Sequence, residues 1–141
     1  MLTISAVLLA AVVEHAKADH PDEACGVIAG PAGSDRPTRV VPMVNAARSP
    51  TFYEFDSTEL LRLYRELEAA GDEPVVVYHS HTATAPYPSR TDIAYAGEPT
   101  AHYLIISTRD GRDFGDQCEL RSFRIIAGEV FEEEILVVDD S

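Results

Sequence analysis

The spacing of hydrophobic and polar residues changes several times along the chain, and each change marks an element. From Ser5 to about His20 apolar residues recur at helical spacing, at Leu8, Leu9, Val12, Val13 and Ala16. This predicts a helix closed by Pro21, because proline disfavours helical geometry in the residue before it. The run EACGVIAG, residues 23–30, has the near-continuous apolar pattern of a buried strand and ends at a glycine, with the turn-rich PAGSDRPT after it. RVVPMVNAA and TFYEF read as further strands separated by RSP, which suggests a bent or paired hairpin.

The next segment, DSTELLRLYRELEAAGD, carries a full set of helix signals. Asp56 or Ser57 serves as N-cap, Glu59 stands in the first turn, leucines occupy 60, 61, 63 and 67, and Gly71 is the C-terminal cap. PVVVYHSH follows as a β-branched run of the kind found in a central strand. RTDIAYAGEP predicts a short helix ended by Pro99, and HYLIIST another buried strand. After the turn RDGRDFGDQ, the stretch CELRSFRIIAGEVFEEEILVV reads as two strands around Ala127 and Gly128, and the acidic tail DDS is expected in solvent. Strands and helices alternate irregularly, with hairpins among them. The expectation is an α/β fold, a mixed sheet flanked by helices.

Length and composition narrow the reading. A chain of 141 residues fits a single domain over residues 1–141, long enough to bury roughly two-thirds of its unfolded surface in one core. One site is therefore expected. Hydrophobic residues at 45% against charged residues at 25% exclude a disordered or fibrous chain. The early apolar stretch from Ala6 to Val13 is too short to span a bilayer and has no basic region before it, so a cytoplasmic location is expected. A formal net charge of −13 raises the cost of approaching nucleic acid or an anionic membrane, so neither is expected as a partner. Cys25 and Cys118 belong to no C-x-x-C pair, which leaves two buried free thiols as the expectation.

The chemistry gathers in HSHTATAPYPSRTD, residues 79–92. In an extended strand, residues two apart share a face, so His79 and His81 present both imidazoles to one point while Ser80 points away. Two neutral imidazoles suit zinc. A catalytic zinc site takes three protein ligands and a water, and Asp92, in the first turn of the next helix, is the best third ligand. Pro86 and Pro88 stiffen the span between them. The plainer alternative is a solvent-facing strand end followed by a capping box of Ser89 and Asp92. Water activated at a metal still needs a base. Glu23, directly before an apolar strand, is the candidate, and alternation puts Cys25 on the same side.

On these residues the sequence resembles the JAMM (MPN+) metallopeptidases, whose signature is a glutamate at a strand start, then His-Ser/Thr-His, seven residues, Ser, two residues and Asp. Glu23, His79, Ser80, His81, the seven residues TATAPYP, Ser89 and Asp92 match it at every position. The resemblance implies a cytidine-deaminase-like JAMM/MPN fold and one Zn2+ held by His79, His81 and Asp92, with water as fourth ligand. It also implies Glu23 as general base and acid, and Ser89 as donor to the oxyanion of the tetrahedral intermediate.

Through HPDEACGVIAG, NAARSPTFYEFD and YHSHTATAPYPSRTD the resemblance extends to the bacterial Mec+-type subgroup. That subgroup implies a ubiquitin-like sulfur carrier protein as partner, cleaved after its C-terminal Gly-Gly to release cysteine or a short extension. RSPTFYEF then becomes a candidate groove wall, with Arg48, Phe52 and Tyr53 as contacts, against the alternative of an ordinary aromatic hairpin. A zinc deaminase would need His-x-Glu and Pro-Cys-x-x-Cys, and neither occurs. The alternative from another class is a non-catalytic MPN-type scaffold that binds a protein partner. The oligomeric state stays open.

Overall fold

The β-branched run PVVVYHSH forms the strand around which the sheet is organised. A computed structural model of the chain describes residues 1–109 and 119–139. In chain order the elements are β1 (Leu2–Ser5), α1 (Ala6–Asp19), β2 (Cys25–Pro31), β3 (Arg39–Met43), α2 (Ser57–Ala70), β4 (Asp72–His81), α3 (Arg90–Ala94), β5 (His102–Ser107), β6 (Glu119–Ile126), β7 (Glu129–Glu133) and β8 (Ile135–Val138). Six of them form one mixed sheet in the order β3-β2-β4-β5-β6-β7. Within it β4 and β5 are parallel, and every other neighbouring pair is antiparallel.

Alternation along β4 sorts the two faces. Val76 and Tyr78 pack with Ile28, Leu104 and Ile106 against Val12 and Ala16 of α1. On the other face Cys25, Val27, Ala29 and Met43 pack against Leu63 and Leu67 of α2. Tyr78 lies across Gly26, where any β-carbon would collide with its ring, and its hydroxyl meets His15 Nδ1 of α1 at 2.7 Å. Helices thus cover both faces of a mixed sheet, as the irregular alternation predicted. The helix ends also follow the sequence: Asp56 accepts from the Glu59 N–H, and Gly71 closes α2 in the left-handed conformation at φ 73°.

Three expectations need correction. TFYEF is no strand: β3 stops at Met43, and only an isolated bridge joins Asn45 to Phe55. The side chain of Asn45 takes the backbone groups of Phe52 and Glu54 that a ladder would have used. The C-terminal run holds strands β7 and β8 where one was expected after the turn, and β8 leaves the sheet to pair in parallel with β1, which the sequence reading left out. α3 ends at Ala94, well before Pro99. Cys25 is a buried free thiol as expected, with burial pushing it up to about 12. Cys118, most of the preceding turn and the last two residues of the tail lie outside the described residues.

At the end of the sheet where β5 begins, buried His102 sits between two carboxylates, with Nε2 2.7 Å from Asp35 Oδ1 and Nδ1 2.6 Å from Glu133 Oε2. Ser122 donates to Glu133, and the amino group of Met1 lies 3.0 Å from its other oxygen. Burial alone would raise the Glu133 carboxyl, but the bonds from His102 and Ser122 outweigh it and hold it at about 2. A glutamate depressed from an unfolded value of about 4.3 stabilises the fold above that value and stops doing so as pH falls towards 2. Thermal melts of wild type and Glu133→Gln should therefore differ most at neutral pH and draw together as pH falls from about 4 to about 2. A constant gap across that range would remove Glu133 from the acid dependence.

Candidate metal centre

β4 ends by presenting His79 and His81 on the α2 face of the sheet, while Ser80 turns to the other side. Ser80 Oγ accepts from the Ala24 N–H at 2.8 Å, and the Ser80 N–H donates to the Ala24 carbonyl at 3.0 Å. With Cys25 opposite His79 in the register, this pair of hydrogen bonds carries Glu23 to the histidines. The Glu23 backbone is held on the loop side as well, its N–H donating to Ser49 and its carbonyl accepting from Asn45 Nδ2 at 3.0 Å.

The chain leaves β4 through the proline-containing span and returns at Ser89, the N-cap of α3. Ser89 Oγ accepts from the Asp92 N–H at 3.1 Å, and Asp92 Oδ2 accepts from the Ser89 N–H at 2.8 Å. The capping box is real, and it also aims the Asp92 carboxylate. Asp92 Oδ2 lies 3.1 Å from His79 Nε2 and 2.9 Å from His81 Nε2, and those two nitrogens are 3.0 Å apart. The cap uses a lone pair of the Ser89 hydroxyl and leaves its hydrogen free to donate. The cap therefore does not use up the donor capacity of this hydroxyl.

His81 Nδ1 lies 3.0 Å from the Ala85 carbonyl, which only accepts, so that nitrogen carries a proton and Nε2 is the ring atom that faces His79 and Asp92. Two imidazole nitrogens and a carboxylate oxygen are the donor set zinc takes. Tetrahedral coordination at zinc's bond lengths needs donor atoms about 3.3 Å apart, a slight expansion of the spacings here. Glu23 also offers an oxygen, since its ligand atom and those of His79 and His81 all lie within 4.8 Å of one another. Glu23 is only 3% exposed, and its Oε1 has no hydrogen-bond partner among the described residues. The residues present thus fit a divalent ion of zinc's preferences.

Electrostatics separates the two acids. Burial pushes the Glu23 carboxyl up to about 8, against the pull of His81. Burial opposes charge on Asp92 too, but bonds from His79 and His81 outweigh it and hold that carboxyl well below the usual range. Burial likewise lowers His79, whereas at His81 the bonds to Asp92 and the Ala85 carbonyl prevail over burial and raise it. Asp92 is therefore a fixed anion facing the imidazoles. Glu23 is poised near neutrality.

Glu23, His79, His81, Ser89 and Asp92 thus meet at one place. Of the three groove residues expected from sequence, Phe52 and Tyr53 line a cavity of about 590 Å³ that reaches Asp92, together with Phe55, Tyr64 and Tyr103. Arg48 does not line it, and adopts a left-handed backbone at φ 45°. Asn45 was missed. The only sequence signal for it is a polar residue between Val44 and Ala46 at a strand end.

Comparison with known proteins places this geometry. Residues 5–126 match the prokaryotic homologs of the JAB domain. The chain is 58% identical over 139 residues to a CysO-cysteine peptidase of Mycobacterium tuberculosis, covering 99% of this chain and 92% of that one. It is 42% identical over 100 residues to a desampylase of Haloferax volcanii, covering 70% and 71%. A solution structure of a Desulfitobacterium hafniense protein superposes with a TM-score of 0.83 at 31% identity, covering 99% and 94%. With the motif residues gathered in three dimensions and the match running through both helical faces of the sheet, the chain belongs to the family of prokaryotic JAB-domain homologs.

Proposed function

We propose that the chain is a zinc-dependent peptidase, one domain over residues 1–141, acting in the cytoplasm. Its reaction is hydrolysis of the bond after the C-terminal Gly-Gly of a ubiquitin-like sulfur carrier protein, releasing cysteine or a short extension. The observation that carries this reading is the meeting of His79 Nε2, His81 Nε2 and Asp92 Oδ2 within 3.1 Å of one another beside buried Glu23. Identity of 58% to a protein named a CysO-cysteine peptidase supports the substrate class. Among the described residues no helix is long and apolar enough to cross a membrane.

His79, His81 and Asp92 would hold the ion. Zinc, when bound, supplies the Lewis acidity that polarises a carbonyl and lets water ionise near neutral pH. Glu23, raised to about 8 by burial, can take the proton of the attacking water and return it to the leaving amine, because its two forms are close in free energy near neutrality. The free hydroxyl hydrogen of Ser89 donates to the carbonyl oxygen as negative charge grows there. Two glycines before the bond let the substrate backbone approach a centre whose histidines are both buried. A scaffold without hydrolysis finds no support, since no donor position of the site is missing.

Mass spectrometry tests the proposal. Candidate ubiquitin-like carriers bearing a cysteine after Gly-Gly are incubated with zinc-loaded protein and with a chelator-treated control. The expected result is one mass loss, equal to a cysteine residue or to the residues of a short extension, in the zinc-loaded sample alone. Unchanged carriers in both samples, or equal loss in both, would sink it.

A further inference from the structure

The two histidines are oriented by different means. His81 has its outer nitrogen bonded to the Ala85 carbonyl, as metal-ligating imidazoles usually do. His79 Nδ1 is buried and has no hydrogen-bond partner among the described residues. What lies against His79 is the ring of Tyr53, stacked with centroids 4.5 Å apart and planes 27° apart. The torsion that turns an imidazole about its Cβ–Cγ bond is soft, so a ligand without a hydrogen bond needs another restraint. A face-to-face ring supplies one, because the imidazole cannot turn without breaking the stack.

Tyr53 is itself held by one side chain. Asn45 Nδ2 donates to the Phe52 carbonyl at 3.1 Å, and its Oδ1 accepts from the Glu54 N–H at 3.1 Å, so the amide grips the backbone on either side of Tyr53. The same Nδ2 donates to the Glu23 carbonyl at 3.0 Å, and the same Oδ1 accepts from the Ala47 N–H. Asn45 is buried with all of these groups satisfied. One amide thus places the ring that faces His79 and the backbone of Glu23 in a common frame.

We infer that Tyr53 is a positioning residue that sets the plane of the His79 imidazole by stacking, with Asn45 keeping Tyr53 and Glu23 in register. The inference rests on the metal reading above. Its consequence is that the segment between β3 and α2 tunes metal affinity without supplying a ligand.

The test uses Co2+ as probe on the full chain, reading affinity by chelator competition and ligand geometry by the visible absorption spectrum. Tyr53→Phe keeps the ring and should match wild type in both. Tyr53→Leu keeps apolar bulk but not the stack, and should lose affinity by about 10- to 100-fold, the usual effect of removing an outer-shell partner, with an altered spectrum. Wild-type affinity and spectrum in Tyr53→Leu would overturn the inference, since packing alone would then suffice. Should that variant not fold, Asn45→Asp decides, because it removes the donor to Phe52 and Glu23 and keeps the acceptor. An unchanged spectrum and affinity there overturn the inference equally. Wild-type protein that binds no Co2+ would instead defeat the metal reading itself.

Discussion

Glu23→Ala is expected to keep the fold and the metal while losing peptide hydrolysis by about 10²–10⁴-fold, the range general acid–base groups contribute. The fold should survive because the backbone at Glu23 is held without its side chain, by Ser49 on the nitrogen and Asn45 on the carbonyl. Among the described residues nothing bonds to the Glu23 Oε1 atom, so truncation breaks no bond seen at that atom and removes a buried carboxyl that burial has already pushed up to about 8. Activity should fall because no other described acid is both this close to the two histidines and near neutrality. Asp92 is held far too acidic to accept a proton. Steady-state cleavage of a carrier–cysteine adduct, beside metal content by atomic emission, measures both halves. Hydrolysis at the wild-type rate would remove Glu23 from the mechanism.

Asp92→Ala should have the opposite signature: metal affinity falls by more than the ~10–100-fold attached to outer-shell partners, and hydrolysis goes with it. One of its oxygens lies 3.1 Å and 2.9 Å from the inward nitrogens of His79 and His81, closer than any other acid described. The α3 cap is only half lost, since Ser89 Oγ still has a backbone N–H to accept from. A melt near that of wild type in metal-free protein would separate ligand loss from unfolding. Full zinc occupancy would move the third ligand to Glu23, which also lies within 4.8 Å of both histidines. The two variants decide together, because a ligand role for Glu23 would make Glu23→Ala the variant that loses metal.

Much of this was legible before the fold. Helix α2 follows from leucine spacing, the Asp56 cap and Gly71, all of which act within a turn or two of the backbone. The shared face of His79 and His81 follows from strand pleating, and the link between Ser89 and Asp92 from the three-residue reach of a capping box. What misled was TFYEF, a strand by composition. There the buried Asn45 amide satisfies backbone groups that pairing would otherwise claim, and a rule that scores each segment alone cannot see that competition. β1 and β8 escaped for a related reason, since among the described residues each pairs only with the other, from far apart in the chain.

The site divides in the same way. Periodicity and capping, both local, are enough to say that one short stretch offers two imidazoles, a hydroxyl and a carboxylate in a compatible arrangement. Among 24 acidic residues, Glu23 stood out by its place directly before an apolar strand and then by family resemblance, but only the register of β2 against β4 brings that strand start beside His79. Tertiary structure alone decided that Glu23 would be buried enough to titrate near neutrality, that Asp92 would stay charged, and that Tyr53 would stack on His79. Each of these depends on desolvation and contact between segments far apart in sequence, which the alternation of residue types along a chain does not encode.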